Sequence, residues 1–294
     1  TDLDLSGSML KALDHVGYEF PSPVQEGVIP LALEGYDVMG QARTGTGKTA
    51  AFAIPIIEQL ASPEEIRKPQ AIVLVPTREL ALQVTNEVER LSFGQNINTM
   101  AVYGGDPIHR QITRLKQGVQ IVVGTPGRIL DHLQRGTLDL CDAWCVVLDE
   151  ADRMLDMGFI RDIRKILKKL PRKRQNLLFS ATFPNEIRRL AADLLNAPIE
   201  IQVAPRNALA DRIEQVVHPV DRARKRALLS HRIRSEHWRQ VLVFTRTKHG
   251  ANRLAEQLSK DGLNTIAIHG NKSQGARTRA LKDFKGGAVR ILVA

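Results

Sequence analysis

The sequence predicts an α/β protein with two doubly wound parallel-sheet domains. Short apolar runs alternate with stretches of helical period, and the runs lack the polar alternation of strands that have one face in water. The run at 71–75, Ala-Ile-Val-Leu-Val, is typical of a strand that helices cover on both faces. A polar motif follows most of the early runs. Since parallel strands end at a common edge, we expect these motifs to form one site there.

The first predicted domain comprises residues 1–203. Its predicted strands are 37–40, 71–76, 99–103, 120–124, 144–149 and 176–180. Between them, residues 78–91 and 159–170 repeat apolar positions with the period of a helix. This alternation of strand and helix is the pattern of an open parallel sheet with helices on both sides.

The second predicted domain comprises residues 213–294, after a polar stretch at 204–212 that we interpret as an interdomain linker. Its predicted strands are 213–220, 240–245, 264–269 and 289–293, and its predicted helices are 225–234, 250–261 and 273–285. We expect this domain to be incomplete, because the sequence ends inside the last predicted strand.

The charge of the chain is unevenly distributed. Up to Val203 there are 23 Lys and Arg against 25 Asp and Glu, a net of −2; from Ala204 there are 19 against 7, a net of +12. Such asymmetry indicates that the second part faces a polyanion. The alternative is that acidic residues beyond the sequence balance it.

Apolar and cysteine content favour a cytoplasmic protein that does not enter a membrane. No apolar run approaches the roughly 20 residues that span a bilayer. The two cysteines, Cys141 and Cys145, lack partners at zinc-type spacing, so we interpret both as buried and reduced core residues. Reduced cysteines are typical of the cytoplasm.

Residues 42–49, Ala-Arg-Thr-Gly-Thr-Gly-Lys-Thr, predict a phosphate-binding loop between a strand and a helix. Gly45 and Gly47 would turn backbone N–H groups toward the phosphates, and Lys48 would reach the β- and γ-phosphates. Ala42 stands where the usual pattern has glycine. The candidate nucleotide-binding residues here are Thr44, Gly45, Thr46, Gly47, Lys48 and Thr49.

Asp149 and Glu150 follow the apolar strand Cys-Val-Val-Leu at 145–148. A carboxylate at a strand end near the triphosphate would hold Mg²⁺, so Thr49 and Asp149 are the predicted metal ligands. Glu150 would orient the water that attacks the γ-phosphate. The loop and the acidic pair together predict a nucleoside triphosphatase that uses Mg²⁺.

On further motifs the chain resembles the DEAD-box ATP-dependent RNA helicases of superfamily 2. The matching segments are 17–25, 42–49, 76–81, 104–105, 125–128, 149–152, 180–182, 243–247, 269–270 and 274–277. The resemblance covers essentially the whole chain. Its back part is similar to the bacterial RhlE type and its front part to the bacterial cold-shock type. It implies two RecA-like domains flanking a cleft that binds ATP and single-stranded RNA.

The resemblance also implies roles for residues outside the phosphate loop. Tyr18 and Gln25 belong to the segment that reads adenine, since a side-chain amide can pair with that base. Ser180 and Thr182 are catalytic candidates that couple hydrolysis to domain closure by exchanging hydrogen bonds with Asp152. Taken alone, Gln25 would be interpreted as a surface residue at a helix start.

The implied partner is RNA, held through its backbone and without sequence preference. The candidate RNA-binding residues are Arg78, Gly105, Thr125, Gly127, Arg128, Arg246, Gly270, Gln274 and Arg277. Ribosomal or degradosome-type ribonucleoproteins are possible further partners. Aromatic residues make up only 4%, so we expect an ionic, salt-sensitive grip rather than base stacking.

Two further expectations concern activity. The family's arginine-finger motif and the aromatic residue that stacks on adenine would fall outside the sequence, so we expect this segment alone to bind ATP weakly and hydrolyse it poorly. The alternatives to an unwinding enzyme are an ATP-gated RNA clamp that remodels ribonucleoprotein, and an unrelated phosphate-loop enzyme such as a small-molecule kinase.

Overall fold

The computed structural model describes residues 3–42, 45–60, 68–202 and 214–294. The chain divides into two compact units, the first ending at Asp211 and the second beginning at Arg212. The predicted linker, 204–212, lies outside the described residues, so the assignment of 1–203, 204–212 and 213–294 stays a prediction. Within the described part, no helix combines the length and the apolar character that crossing a bilayer requires.

The first unit alternates helices and strands around one sheet. Its helices are α1 (Gly7–Val16), α2 (Pro23–Leu33), α3 (Lys48–Glu58), α4 (Arg78–Leu91), α5 (Ile108–Lys116), α6 (Pro126–Gln134), α7 (Ala151–Asp156), α8 (Ile160–Leu167) and α9 (Asn185–Leu194). Its strands are β1 (Val38–Gln41), β2 (Ala71–Leu74), β3 (Thr99–Val102), β4 (Ile121–Gly124), β5 (Cys145–Leu148), β6 (Gln175–Ser180) and β7 (Ile199–Gln202). The six predicted strands are present, with ends shifted by up to two residues.

The described strands of the first unit form a parallel sheet in the order β3-β4-β2-β5-β6-β1-β7. Both of its faces are covered, as β2 illustrates: Ala71 and Val73 belong to one apolar cluster, while Ile72 and Leu74 belong to the other. Every residue of this strand is fully buried. The strand sequences lack polar alternation because neither face of the sheet meets water, as expected. The α/β fold class is confirmed.

The second unit is smaller. Its helices are α10 (Lys225–Ser235), α11 (Lys248–Lys260) and α12 (Gln274–Lys285), and its strands are β8 (Val241–Val243), β9 (Thr265–Ala267) and β10 (Ile291–Val293). These strands form a parallel sheet in which β10 lies between β8 and β9. Its apolar core includes Ile233, Leu258 and Ile291.

Two expectations from the sequence are wrong. The strand predicted at 213–220 is absent from 214–220, where Val217 is 90% exposed. Pro219 lacks the N–H that a sheet ladder needs, which explains why the apolar pair there does not add a strand. Cys141 is exposed rather than buried, because it lies in the turn before β5, whereas Cys145 begins that strand and is buried.

Gly124 ends β4 where there is no room for a side chain. A Cβ atom there would lie 2.5 Å from the Val102 carbonyl oxygen and 2.7 Å from Cδ1 of Ile129. The first of these atoms is backbone and cannot move without shifting β3. Gly124 therefore fixes how closely α6 and the segment at 125–128 approach the sheet.

We expect Gly124→Ala to lower the free energy of unfolding by about 2 kcal/mol, as overpacking of a well-filled core does. Gly127→Ala is the matched control, since a Cβ at that position meets nothing within 4 Å. Denaturant unfolding should leave the control unchanged or slightly more stable, because alanine favours helix. Equal stability of the two variants would contradict the steric argument.

Candidate functional site

The phosphate-loop segment joins β1 to α3. Gly45 and Gly47 both adopt left-handed backbone conformations, with φ of 85° and 89°, and Gly47 is the N-cap of α3. A Cβ on Gly47 would lie 2.6 Å from Nε2 of Gln25, so conformation and space both require glycine there. The predicted residue Thr44 lies outside the described residues.

Lys48 and Asp149 form a buried ion pair at the carboxyl ends of β1 and β5. The Lys48 Nζ lies 3.1 Å from Oδ1 of Asp149, and the two side chains are 5% and 3% exposed. Burial raises the pKa of the Asp149 carboxyl, and the charge of Lys48 opposes that rise. Two segments a hundred residues apart in sequence thus meet, as predicted.

A pocket of about 180 Å³ surrounds this pair. The described residues that line it are Tyr18, Gly45, Gly47, Lys48, Thr49, Ala50, Leu80, Gln83, Glu87, Asp149 and Glu150. It therefore brings together the predicted phosphate-loop residues and the acidic pair. The positive end of α3 opens into it, as at other anion sites.

Glu150 has an unusual backbone. It caps α7 with φ of 53° and ψ of 50°, a left-handed conformation that costs a side-chain-bearing residue about 1–2 kcal/mol. Its N–H donates to Oδ1 of Asp149 at 2.9 Å. Strained backbone at a residue that lines a pocket indicates that the placement of its side chain matters more than the stability lost to the strain.

Tyr18 lines both this pocket and a second one of about 370 Å³, which Gln25 also lines. The Gln25 amide donates to the Gly47 carbonyl oxygen at 3.1 Å and accepts from the Ser22 N–H at 2.8 Å. The Tyr18 hydroxyl donates to Oε1 of Glu87 at 2.6 Å. Burial and this hydrogen bond raise the pKa of Tyr18 to about 12, so it stays protonated and donating.

Ser180, Thr182 and Asp152 form one hydrogen-bonded cluster after β6. Oδ2 of Asp152 accepts from the Thr182 N–H at 2.9 Å and from the Thr182 hydroxyl at 2.8 Å. The Ser180 hydroxyl donates to the Thr182 carbonyl oxygen and accepts from the Asp152 N–H. The structure therefore brings these three predicted residues together, and one of them, Asp152, lies two residues after Glu150 in the sequence.

The candidate RNA-binding residues of the first unit lie after β2, β3 and β4, which are neighbours in the sheet. The Arg78 guanidinium lies over the Tyr103 ring, 4.5 Å from its centroid, and Nη1 of Arg78 is 3.7 Å from where a Cβ of Gly105 would be. Thr125 is the N-cap of α6, and Gly127 lies in its first turn.

The Arg128 side chain is directed inward. Its Nη1 donates to the Asp106 carbonyl oxygen at 2.9 Å and to Oε1 of Gln111 at 3.1 Å, and only 15% of the side chain is exposed. Arg128 thus ties the segment after β4 to the loop after β3. A direct contact with RNA phosphate stays a prediction.

The remaining candidates, Arg246, Gly270, Gln274 and Arg277, all belong to the second unit. Gly270 lies near Lys248, whose Nζ donates to Oδ1 of Asn271 at 3.0 Å. Gln274 begins α12, with Ser273 as its N-cap. Their proposed role on RNA stays a prediction.

Sequence reasoning missed Gln83 and Glu87, which line the phosphate pocket from α4. Together with Leu80 they recur at helical spacing, so one face of the predicted helix 78–91 carries all three. The polar residues on this face of the helix, next to the end of the sheet where the motifs meet, could have predicted that the helix lines the site. It also missed Gln111 and His132, for which a single sequence offers no local pattern.

The residues present fit a triphosphate with a magnesium ion. The glycine cradle, the buried Lys48 amine and the Asp149 carboxylate are the donor set that phosphates and a hard cation require. Among the described residues there is no group of three or more His, Cys, Asp or Glu side chains that could hold a metal by itself. A magnesium ion here would need ligands from substrate phosphates and water, which is how Mg²⁺ is usually bound.

Comparison with protein families adds a decisive observation. The family profile described as DEAD/DEAH box helicase matches residues 22–190, more than half of the chain, and the profile for the helicase conserved C-terminal domain matches residues 224–294. The chain belongs to the DEAD/DEAH box helicase family. The resemblance inferred from the motifs is thereby confirmed.

Relatives within the DEAD/DEAH box helicases match over the whole chain. The chain is 44% identical over 293 residues to the DEAD-box ATP-dependent RNA helicase CshA of Geobacillus kaustophilus, of which it covers 62%. It is 43% identical over 294 residues to the ATP-dependent RNA helicase DeaD of Escherichia coli strain K12, of which it covers 46%. The chain thus spans about half to three-fifths of the length of these relatives.

A solved DEAD box protein supports the fold. The crystal structure of a DEAD box protein from the hyperthermophile Methanococcus jannaschii matches with a TM-score of 0.66 at 42% sequence identity. The match covers 100% of this chain and 78% of that one. The RecA-like α/β fold expected for a DEAD/DEAH box helicase is therefore confirmed.

Proposed function

We propose that this DEAD/DEAH box helicase binds single-stranded RNA and separates short RNA duplexes locally, driven by the binding and hydrolysis of ATP with Mg²⁺. The observation that carries the proposal is the convergence of Lys48, Asp149 and Glu150 on one pocket beside the glycine cradle. Relatives named as ATP-dependent RNA helicases support the choice of ATP and of RNA.

The phosphate chemistry follows from side chains already placed. Lys48 binds the β- and γ-phosphates with its buried amine, and Glu150 orients the attacking water. Thr49 and Asp149 would hold magnesium, which when bound neutralises charge on the phosphate oxygens. The raised pKa of Asp149 means that this carboxyl is costly to keep ionised without Lys48 or another cation beside it.

Adenine recognition is assigned to Gln25 and Tyr18. The Gln25 amide would exchange its present hydrogen bonds to Ser22 and Gly47 for hydrogen bonds to the edge of the base. Because Gly47 belongs to the phosphate loop, adenine binding would change a contact of that loop directly. Tyr18 closes the wall shared by the two pockets.

The coupling of ATP hydrolysis to domain closure is assigned to the cluster of Asp152, Ser180 and Thr182. Its small hydroxyls can change hydrogen-bond partners at little steric cost, and it lies two residues from Glu150. A change at the γ-phosphate would therefore reach the segment after β6 through the backbone between Glu150 and Asp152 and then through the hydrogen bonds of Asp152 to Ser180 and Thr182.

RNA is assigned to the ends of β2, β3 and β4, with Arg246, Gly270, Gln274 and Arg277 contributing from the second unit. Backbone amides and arginines at these positions favour contact with phosphates, which carries no sequence preference. The excess of basic residues from Ala204 onward supports a polyanionic partner. The cytoplasmic location and the ribosomal or degradosome-type partners stay predictions.

The test is ATP hydrolysis with and without single-stranded RNA, by a version of the chain extended to the length of its relatives, combined with displacement of a labelled strand from a short duplex. The chain of 294 residues alone is expected to hydrolyse ATP poorly. We expect RNA to stimulate hydrolysis, and RNA affinity to fall steeply with salt, because phosphate contacts release counterions. Stimulation without strand displacement would indicate the RNA clamp. Hydrolysis that ignores RNA while a small metabolite is phosphorylated would indicate a kinase and contradict the proposal.

A further inference from the structure

Gln111, on α5, has all the hydrogen bonds that an amide can make. Its Nε2 donates to the Tyr103 carbonyl oxygen at 3.1 Å and to Oδ2 of Asp106 at 3.3 Å. Its Oε1 accepts from Nη1 of Arg128 at 3.1 Å and lies 2.9 Å from Nε2 of His132. Only 2% of the residue is exposed.

This arrangement determines the state of His132, which is fully buried. Both donors of the Gln111 amide are used elsewhere, so its oxygen must accept and Nε2 of His132 must carry a proton. The Thr137 hydroxyl lies 2.8 Å from Nδ1 of His132 and 3.2 Å from the His132 carbonyl oxygen. When it donates its one proton to the nearer Nδ1, the imidazole is neutral. Burial and the nearby Arg128 lower the pKa of His132, which favours this neutral form.

The four partners of Gln111 come from two segments whose motifs predict contact with RNA. Tyr103 and Asp106 flank the pair of glycines after β3, and Arg128 and His132 lie on α6, directly after β4. Tyr103 also supports the Arg78 guanidinium. One buried amide thus connects two of the three candidate RNA-binding segments of the first unit directly, and Tyr103 connects the third to them.

We infer that Gln111 is a positioning residue that holds the loop after β3 and the start of α6 in the arrangement that grips RNA, with His132 fixing its carbonyl oxygen. The inference rests on the proposed function. Gln111 touches no phosphate itself; it sets the distance and direction between groups that do. Among the described residues, Gln111 is not one of those that line the phosphate pocket.

Gln111→Leu tests this, because leucine fills the space and offers no hydrogen bond. The matched control is Gln175→Leu. Gln175 is also buried, at 8% exposed, and its amide donates to the carbonyl oxygens of Ala32 and Tyr36, both at 2.8 Å, at the amino end of β6. Both variants lose hydrogen bonds to backbone, but only one acts on the RNA segments.

The measurements are anisotropy of a short labelled single-stranded RNA with Mg²⁺ and a non-hydrolysable ATP analogue, analogue affinity without RNA, and thermal midpoint. We expect Gln111→Leu to weaken RNA binding about tenfold, as loss of a hydrogen bond to a charged group would, and to leave analogue affinity unchanged. Gln175→Leu should lower the midpoint similarly but change RNA affinity less than about twofold.

A second variant guards against misfolding. His132→Phe removes one bond from Gln111 and keeps the other three, so it should weaken RNA binding about threefold with nucleotide affinity intact. Equal RNA affinity of the unmodified chain and of a folded variant at position 111 or 132 would overturn the inference alone. Failure of the unmodified chain to bind RNA would overturn the inference and the proposed function together.

Discussion

Replacing Lys48 with alanine should abolish detectable ATP binding and lower the free energy of unfolding of the first unit by about 3 kcal/mol or more. The reason is that Asp149 would be left as a buried carboxylate without its partner, at a site only 3% exposed. Isothermal titration with ATP and Mg²⁺, together with denaturant unfolding, would measure both effects.

An exposed ion pair provides the matched control. Lys68 and Asp139 are separated by 2.8 Å, closer than the buried pair, but their side chains are 50% and 56% exposed. Lys68→Ala should therefore cost less than about 1 kcal/mol, because water screens such pairs. Similar losses for both variants would contradict a special role for the buried pair.

The penalty in the Lys48→Ala variant should depend on pH. Burial already raises the pKa of Asp149, and removing the opposing charge of Lys48 raises it further. A carboxyl with a raised pKa favours the folded state when it is protonated and loses that contribution as pH rises through the folded pKa. The stability difference between variant and unmodified chain should therefore shrink as the pH is lowered toward that value.

In the version extended to the length of its relatives, Glu150→Gln should reduce RNA-stimulated ATP hydrolysis about 100-fold or more while ATP affinity stays the same, because an amide cannot accept a proton from the attacking water. Single-turnover hydrolysis at saturating RNA would separate this effect from binding. A variant that retains hydrolysis within a few-fold of the unmodified rate would remove Glu150 from the mechanism.

The left-handed backbone of Glu150 allows a second substitution that separates the role of its side chain from the strain of its backbone. Glu150→Gly should lose hydrolysis equally but raise the free energy of unfolding by about 1 kcal/mol, since glycine adopts φ of 53° without strain. Ala197, with φ of 44°, is the control: Ala197→Gly should give a similar gain in stability with normal hydrolysis. If Glu150→Gly lowers stability, the strain argument fails.

The strands could be predicted wherever burial on both faces leaves a clear apolar run, as in β2, β4 and β5. The edge strand β7 was not predicted, because Ile199–Gln202 alternates apolar and polar residues over only four positions. The strand at 213–220 was predicted wrongly because Val216 and Val217 suggested a run that Pro219 interrupts. The order of strands in the sheet depends on pairing between distant segments, so local pattern did not contain it.

The phosphate site could be predicted because its chemistry lies in short contiguous motifs, so Lys48, Asp149 and Glu150 were identified by their neighbours in sequence. The left-handed conformation of Glu150 and the inward direction of Arg128 were not predicted. Both depend on contacts between elements. Gln111 is the extreme case, since an isolated glutamine on a helix acquires its role only from four partners on other segments.

The position of β1 has a consequence for how the protein is made. This strand leads into the phosphate loop, yet its neighbours on either side, β6 and β7, come more than 130 residues later. During synthesis the loop leaves the ribosome well before either neighbour of its supporting strand: β6 is complete only at residue 180 and β7 only at residue 202. In a nascent chain the strand that supports the phosphate loop therefore stays unpaired until most of the first unit has been made.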